Sequence, residues 1–342
     1  MLPSAARTIS RLCRPSAAFA KRSFTVSVPR PIAPGSPSCS VAATTRARTT
    51  VSCRLVPRTH NFSTMSAVAK RLAGKTVVVT GASSGIGRSC AFEFARTAAP
   101  AGGLRLVLTA RRIDTLRQIA DDLVKELGAD KVQVLPVQLD VSDRKAVRGF
   151  VESLPEEWRD IDVLVNNAGL VKGVARAPDI AEEDIDVMLA TNVTGLVHMT
   201  QAVLPTFLKR GSDGGAGDII NIGSIAGLDP YPGGSIYCAT KAAVRSFSES
   251  LRKELISTRI RVIEIDPGQV ETEFSVVRFY GDKSKADAVY AANTDSGVNP
   301  LTPEDIAEVV VFAASRPENV VIANSLIFPQ HQGAAGLLYK KQ

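Results

Sequence analysis

The chain offers little sulfur chemistry. Its 342 residues include five cysteines, of which Cys13, Cys39 and Cys53 lie near the N-terminus and only Cys90 and Cys238 in the body. No Cys-x-x-Cys pair and no Cys/His spacing suited to a metal occurs. This argues against a disulfide framework, leaves no metal site to propose, and predicts a reducing compartment. No apolar run approaches the roughly 18 residues of a membrane helix. His198 and His331 have no partners in the pattern and read as core or surface residues, and Trp158 as a packing or loop residue. Acid is missing from the start of the chain: the first acidic residue is Glu93. Residues 1–70 hold nine Arg and two Lys, so of the 41 basic residues 30 remain against 34 acidic ones. The net charge of +7 therefore hides a body of about −4, which argues against nucleic-acid binding by the folded part.

The basic segment is rich in Arg, Ser, Thr, Ala and Pro, the composition of a mitochondrial transit peptide. Its first 24 residues form a basic amphipathic pattern interrupted at Pro15. The alternative is a start at Met65, since MSAVAKRLAGKTVVVTG reads as an ordinary protein beginning; that form would be cytoplasmic. The expected organisation is an N-terminal extension over 1–68 and one domain over 69–342.

From residue 70, apolar β-branched runs alternate with helical patterns. Seven strands are expected, at 75–81, 104–111, 132–141, 161–169, 217–227, 259–268 and 320–328, with amphipathic helices at 112–127, 143–153, 181–210, 235–257 and 303–315. Continuous Val/Ile/Leu runs predict strands covered on both faces. Strand–helix alternation predicts right-handed βαβ units, hence a doubly wound Rossmann-type α/β domain with a seven-stranded, mostly parallel sheet. Helix starts are expected at Ser142-Asp143 and Thr302-Pro303. GSDGGAG (211–217) reads as a surface loop, and residues 269–300 as a long irregular segment, a lid.

VVVTGASSGIG (77–87) is a strand, a glycine turn and a helix start. Gly81, Gly85 and Gly87 allow the backbone, with Ser83, Ser84 and Ile86, to approach a pyrophosphate at the helix N-terminus. The second strand ends in TARRID: no acid stands where a ribose 2′-hydroxyl would need one, but Arg111 and Arg112 do. Guanidinium pairs with a 2′-phosphate, so the cofactor is NADP(H); the alternative is a solvated helix start. Ser84 can add a hydroxyl to that phosphate. Asp140 and Val141 follow the third strand, where Asp140 meets an adenine edge or caps the next helix. Asn167, Ala168 and Gly169 of NNAG end the fourth, small enough to let the backbone pass the nicotinamide ribose. Tyr237 and Lys241 stand one helical turn apart, which alone also reads as a surface contact.

TGASSGIG, NNAG, Asn192 of TNVTG, Ser224, Tyr237-x-x-x-Lys241 and DPG occur in one order. In this the body, over about 72–330, resembles the short-chain dehydrogenase/reductase family. The resemblance implies that Tyr237 exchanges a proton with substrate while hydride moves to or from nicotinamide. It further implies that Lys241 bonds the nicotinamide ribose, Ser224 holds the substrate oxygen, and Asn192 kinks its helix and anchors a water for a proton relay. A nearby ammonium is expected to lower the tyrosine's ordinary pKa near 10. Pro267 and Gly268 turn the chain beside the nicotinamide, with Val270 and Thr272 at its carboxamide or phosphate. Cys238 reads as packing.

Longer stretches, SIAGLDPYPGGSIYCATKAAV, ETEFSVVRFYGD and VIANSLIFPQHQ, resemble one branch, the NADP-dependent 3-hydroxy acid dehydrogenases. That implies small substrates such as serine, L-allo-threonine or 3-hydroxyisobutyrate, and a tetramer or dimer. Helices 181–210 and 235–257 would pair across one two-fold axis and the C-terminal strand region across another. Arg278 on the lid is the candidate carboxylate partner, with Lys172 second; Arg278 as a lid-packing residue is the alternative. Lys172 lies in LVKGVARAPDI, where that branch commonly has a shorter turn. Phe274, Val276, Val277, Phe279 and Tyr280 keep larger apolar ketones or 3-oxoacyl substrates open. A non-catalytic NADP-binding regulator is the other alternative.

Overall fold

A computed structural model describes residues 63–211, 214–294 and 299–339. Most of the basic extension therefore lies outside the described residues, as do two positions of the GSDGGAG loop and four of the 269–300 segment. In chain order the elements begin α1 (Ser63–Leu72), β1 (Thr76–Thr80), α2 (Gly85–Ala98), β2 (Leu104–Ala110), α3 (Ile113–Leu127) and β3 (Val132–Gln138). They continue with α4 (Arg144–Arg148), α5 (Phe150–Ser153), β4 (Val163–Asn166), α6 (Glu182–Leu189), α7 (Leu196–Leu208) and β5 (Ala216–Ile222). The last are α8 (Ser235–Glu254), β6 (Arg259–Pro267), α9 (Phe274–Arg278), α10 (Lys283–Thr294), α11 (Pro303–Ala314), β7 (Asn324–Ile327), β8 (Gln332–Ala334) and β9 (Leu337–Leu338).

The seven long-range strands form one sheet in the order β3-β2-β1-β4-β5-β6-β7, and every neighbouring pair is parallel. Alternation explains the unbroken apolar runs. Val77 and Val79 of β1 face one core with Phe94 of α2, Leu116 and Leu123 of α3 and Val310 of α11. Val78 between them faces a second core with Phe150, with Met199 and Phe207 of α7, and with Leu251 of α8. Truncating a fully buried ring such as Phe207 to Ala would cost about 3–5 kcal/mol. Trp158 packs at the margin of the second core. The chain runs outward from β1 to β2 and β3, then returns to lay β4 beside β1, which opens a crevice at the carboxyl ends of those strands.

Asp143 caps α4 by accepting from Lys145 and Ala146 N–H, and Thr302 and Asp305 form a capping box on α11. Across β5 and β6, Arg261 meets Asp218 in a buried two-pronged ion pair at 2.6 Å and donates to the carbonyl of Ala314 at 2.9 Å. α1 puts Leu72 into the first core. Among the described residues, the helical run Glu182–Leu208 is long and apolar enough, by length and composition, to cross a membrane. Its apolar character is used in the second core.

The described part of the 269–300 segment is partly helical. It carries α9 and α10. α10 reads KSKADAVYAANT, helix-forming through alanine but without an apolar stripe, so its period was invisible in the sequence. The β8–β9 hairpin was also unexpected. Its only advance signal is the pair Gly333 and Gly336 around a short turn.

Candidate active site

A cleft of about 670 Å³ lies over the carboxyl ends of β1, β4, β5 and β6. One end is built for phosphate. Gly81 and Gly85 take φ of +66° and +53°, which side chains rarely adopt. A Cβ on Gly81 would sit 2.9 Å from the Ala168 Cα, and one on Gly87 2.4 Å from the Asn167 Nδ2. The first turn of α2 receives no side-chain cap, so its N–H groups face the cleft. Ser83, Ser84, Gly85 and Ile86 line the cleft here, and Gly87 lies behind them as a packing glycine.

Both Arg111 and Arg112 line the rim. Arg112 donates to the Ser83 Oγ at 3.1 Å and to Glu273 Oε2 at 3.2 Å. The hydroxyl beside this guanidinium is thus that of Ser83, whereas Ser84 occupies the N-cap position of α2. Asp140 and Val141 line the same end, with Asp140 bent into a local turn by accepting from the N–H and the hydroxyl of Ser142. Asn167 donates to the Thr80 and Gly81 carbonyls at 2.9 and 3.2 Å, fixing the NNAG turn against the glycine turn. Ala168, Gly169, Pro267, Gly268, Val270 and Thr272 complete the walls. The donor set, two arginines with serine hydroxyls at the end of β2 and a glycine cradle beneath, fits a phosphorylated dinucleotide.

The other end holds the reactive groups. Ser224 follows β5; its backbone N–H donates to Asp266 Oδ1 at 3.0 Å, and its hydroxyl accepts from the Ala226 N–H at 3.1 Å and faces the same cleft as Tyr237. Tyr237 lies in the first turn of α8, buried, with Phe274 edge-on at 5.6 Å. Lys241, one turn on, donates to the Ile222 carbonyl at 2.8 Å and lies 5.9 Å from the Tyr237 ring centroid. Asn192 sits in a π-helical turn, Ala190–Gly195, between α6 and α7. It does not line the cleft. Its amide bridges the Leu170 N–H and carbonyl, each at 2.8 Å, and donates to Thr240 Oγ1 at 3.1 Å. The expected helix irregularity is there, as a wide turn whose side chain holds the strand behind the lysine.

One expectation is overturned. Tyr237 is not held below the ordinary phenol range. Burial raises its pKa, outweighing the lowering by Ser224's hydrogen bond, with Tyr231 and Cys238 adding to the rise. Lys241 is too far and too desolvated to reverse this: burial pushes the lysine itself down to about 8, against the pull of Asp266 and Glu264. The phenol therefore stands ready as a proton donor, and its ionisation requires positive charge brought closer than Lys241.

Arg278 reaches the cleft from α9. Its guanidinium donates to the carbonyls of Gly173 and Gly233 at 3.2 and 3.3 Å and lies near the Tyr231 hydroxyl at 3.5 Å. It is both a strut for the lid and a cation at the substrate end. Lys172 does not line the cleft; its ammonium sits 5.0 Å from the Tyr280 ring centroid, and Tyr280 in turn donates to Asp184. Of the apolar lid residues, Phe274 and Val277 face the cleft, while Val276, Phe279 and Tyr280 do not line it. Cys238 packs with Leu170, Met188 and Ala226, as expected. His331 lies against Tyr339, and neither it nor His198 lines the cleft.

Tyr231, Glu273, Gln269 and Gln332 were missed in the sequence although they line the cleft. Gln332 accepts from the Gln269 N–H at 2.8 Å, closing the β8–β9 hairpin against the turn after β6. Only Tyr231, aromatic between two prolines, carried a visible signal.

Three comparisons bear on this geometry. A short chain dehydrogenase family profile matches residues 75–280. The NADP-dependent 3-hydroxy acid dehydrogenase of Schizosaccharomyces pombe is 54% identical over 272 residues, covering 80% of this chain and 99% of that protein. The enzyme of the same description from Salmonella typhi is 46% identical over 262 residues, covering 76% and 97%. Among solved structures, the closed form of serine dehydrogenase complexed with NADP+ is 42% identical with a TM-score of 0.67, covering 78% of this chain and all of that one.

Proposed function

The chain belongs to the short-chain dehydrogenase family, and from that premise we propose an NADP-dependent oxidoreductase of small 3-hydroxy acids. Substrates of the class of serine, L-allo-threonine and 3-hydroxyisobutyrate carry a hydroxyl one carbon removed from the carbon bearing the carboxylate. The observation that carries the reading is the pairing, in one cleft, of the Ser224–Tyr237–Lys241 group with the Arg278 guanidinium.

Gly81 to Ile86 would hold the cofactor's pyrophosphate, Arg111 and Arg112 its 2′-phosphate, Asp140 and Val141 its adenine side. Asn167 to Gly169 and Pro267 to Thr272 would flank the nicotinamide end. Bound there, NADP supplies a two-electron hydride acceptor or donor at the nicotinamide ring. The protein does the rest. Ser224 and Tyr237 hold the substrate oxygen by hydrogen bonds. In reduction the Tyr237 hydroxyl gives its proton to that oxygen; in oxidation the phenolate takes it back. Lys241, held at the cleft by its bond to the Ile222 carbonyl, would hold the nicotinamide ribose. Asn192 holds the backbone at Leu170 and so fixes the wall facing Lys241. Arg278 pairs with the substrate carboxylate, which sets the hydroxyl-bearing carbon at the reactive end, while Phe274 and Val277 shield it from water.

Arg278→Ala tests the substrate class. KM for L-serine and 3-hydroxyisobutyrate should rise about tenfold or more, from loss of a charge-assisted pair. Turnover of a secondary alcohol without a carboxylate should hardly change. Equal loss on both would assign Arg278 to lid packing alone, and an unchanged KM on the acids would remove it from recognition.

Import into the mitochondrial matrix through the basic extension, and a dimer or tetramer, belong to the same proposal. Composition supports the first. The second is supported by exposed apolar residues at the sheet edge and beside it, Leu326 at 46% and Phe312 at 50% exposure. Import of full-length chain into isolated mitochondria with N-terminal sequencing of the product, and light scattering on the purified body, test them; no import, or a monomer, would contradict them.

A further inference from the structure

Beneath the catalytic serine lies a pair of carboxyls that the reaction above does not use. Glu264 and Asp266 are two residues apart on β6 and so share a face of the sheet. They are 0% and 2% exposed. Gly223, across from them at the end of β5, leaves the room they need: a Cβ there would lie 1.9 Å from Asp266 Oδ1 and 3.0 Å from Glu264 Oε1. Asp266 Oδ1 accepts from the Ser224 N–H and Glu264 Oε2 from Asn324 Nδ2. The other two oxygens, Asp266 Oδ2 and Glu264 Oε1, are buried with no donor from the protein. Both carboxyls crowd the one Gly223 position, so a hydrogen bond between them would give each orphaned oxygen a partner. Ionised carboxylates are acceptors only, so that bond needs a proton between them.

Lys241 of α8 reaches the same strand end, donating to the carbonyl of Ile222 next to Gly223 at 2.8 Å, and both carboxyls pull its pKa up against burial. The other cations facing the pair are Arg245 and Arg252 on the same helix. Arg245 is engaged by Glu249 at 3.3 Å, and Arg252 gives its guanidinium to the Val262 and Ala323 carbonyls. Lys241 is therefore the buried cation without a carboxylate of its own.

We infer that Glu264 and Asp266 share one proton and together present one fixed negative charge, which keeps Lys241 as an ammonium during turnover. Both act through Lys241 as positioning residues for the reaction proposed above, on which this inference rests. Burial lifts Glu264 to about 7 and raises Asp266, while it pushes Lys241 down to about 8. The pair can thus hold one proton while the lysine is charged at neutral pH. One proton for two carboxyls also satisfies both orphaned oxygens at once, which full ionisation does not.

Infrared spectroscopy and pH profiles test this. The enzyme should show, at pH 7, the carbonyl stretch of a protonated carboxylic acid that shifts in heavy water. Glu264→Gln and Asp266→Asn should each abolish it, because the remaining carboxyl then carries the single charge. Persistence of the band in either variant, or its absence from the enzyme, overturns the inference. In kinetics, both single variants should keep the alkaline limb of kcat in place. The double variant, with no charge left, should lose activity at a pH lower by about one unit or more. An unmoved limb in the double variant would reduce the pair to structure. If the double variant does not fold, the infrared comparison of the singles decides. That arm needs no substrate, so a wrong substrate class would fail separately, as an enzyme with the band but without turnover of hydroxy acids.

Discussion

Replacing Arg112 by Ala should weaken NADP(H) and spare NAD(H). Its side chain is 52% exposed and already paired with Glu273, itself 62% exposed. An ion pair so open to water is worth about 0–1 kcal/mol, and the guanidinium gives up that much when it turns to a phosphate. A charge-assisted hydrogen bond to the phosphate returns about 1.5–3 kcal/mol. The difference is about 1–2 kcal/mol, a loss of roughly 5- to 30-fold in affinity on removing the side chain. Steady-state KM and equilibrium titration, with NADP⁺ and NAD⁺ side by side, measure it. Because Ser83 holds the same guanidinium, Arg112→Lys should recover only part of the loss. The companion variant Glu273→Gln frees Arg112 and should tighten NADP⁺ by a few-fold at most, an effect that salt erases. Equal losses for both cofactors, or none, would refute the assignment of this rim to the 2′-phosphate.

Tyr237→Phe removes the only proposed proton donor and should lower kcat by about 10²–10⁴-fold while NADP⁺ affinity changes little; a drop below tenfold would contradict the role. Lys241→Met should abolish most activity. Burial lowers the lysine's pKa from 10.5 to about 8, so the ammonium weighs on the parent fold below pH 8 and less as pH rises toward 10.5. The sign follows from the folded state binding the proton less tightly than the unfolded one. Thermal melts should therefore show the parent gaining stability relative to the variant between pH 8 and 10.5. Arg261→Ala leaves Asp218 buried without its partner and should cost about 3–5 kcal/mol, read as a fall in denaturation midpoint with kinetic constants unchanged in the folded fraction.

Much of this was legible in the sequence because it rests on local rules. The strands of the large sheet are continuous β-branched runs, and each was placed to within a few residues. The glycine turn, the arginines after β2 and the Tyr237–Lys241 spacing each follow from one turn of helix or one strand end. What escaped depends on distance along the chain. Glu273 meets Arg112 across 161 residues, and Gln332 closes on Gln269 across 63. No period marks such pairs. α10 escaped because alanine, not amphipathicity, makes it helical. The direction of the Tyr237 shift escaped for a different reason: spacing showed a lysine nearby, but not that both groups are buried and that burial would dominate.

The most direct test of the account is turnover by protein beginning at Met65, supplied with NADP⁺ or NAD⁺ and with L-serine, L-allo-threonine, 3-hydroxyisobutyrate or a secondary alcohol lacking a carboxylate. Oxidation of the three acids is expected with NADP⁺, far faster than with NAD⁺ and far faster than of the plain alcohol. Turnover of the uncharged alcohol alone would contradict it, leaving the family in place and shifting the substrate to the apolar wall of Phe274 and Val277.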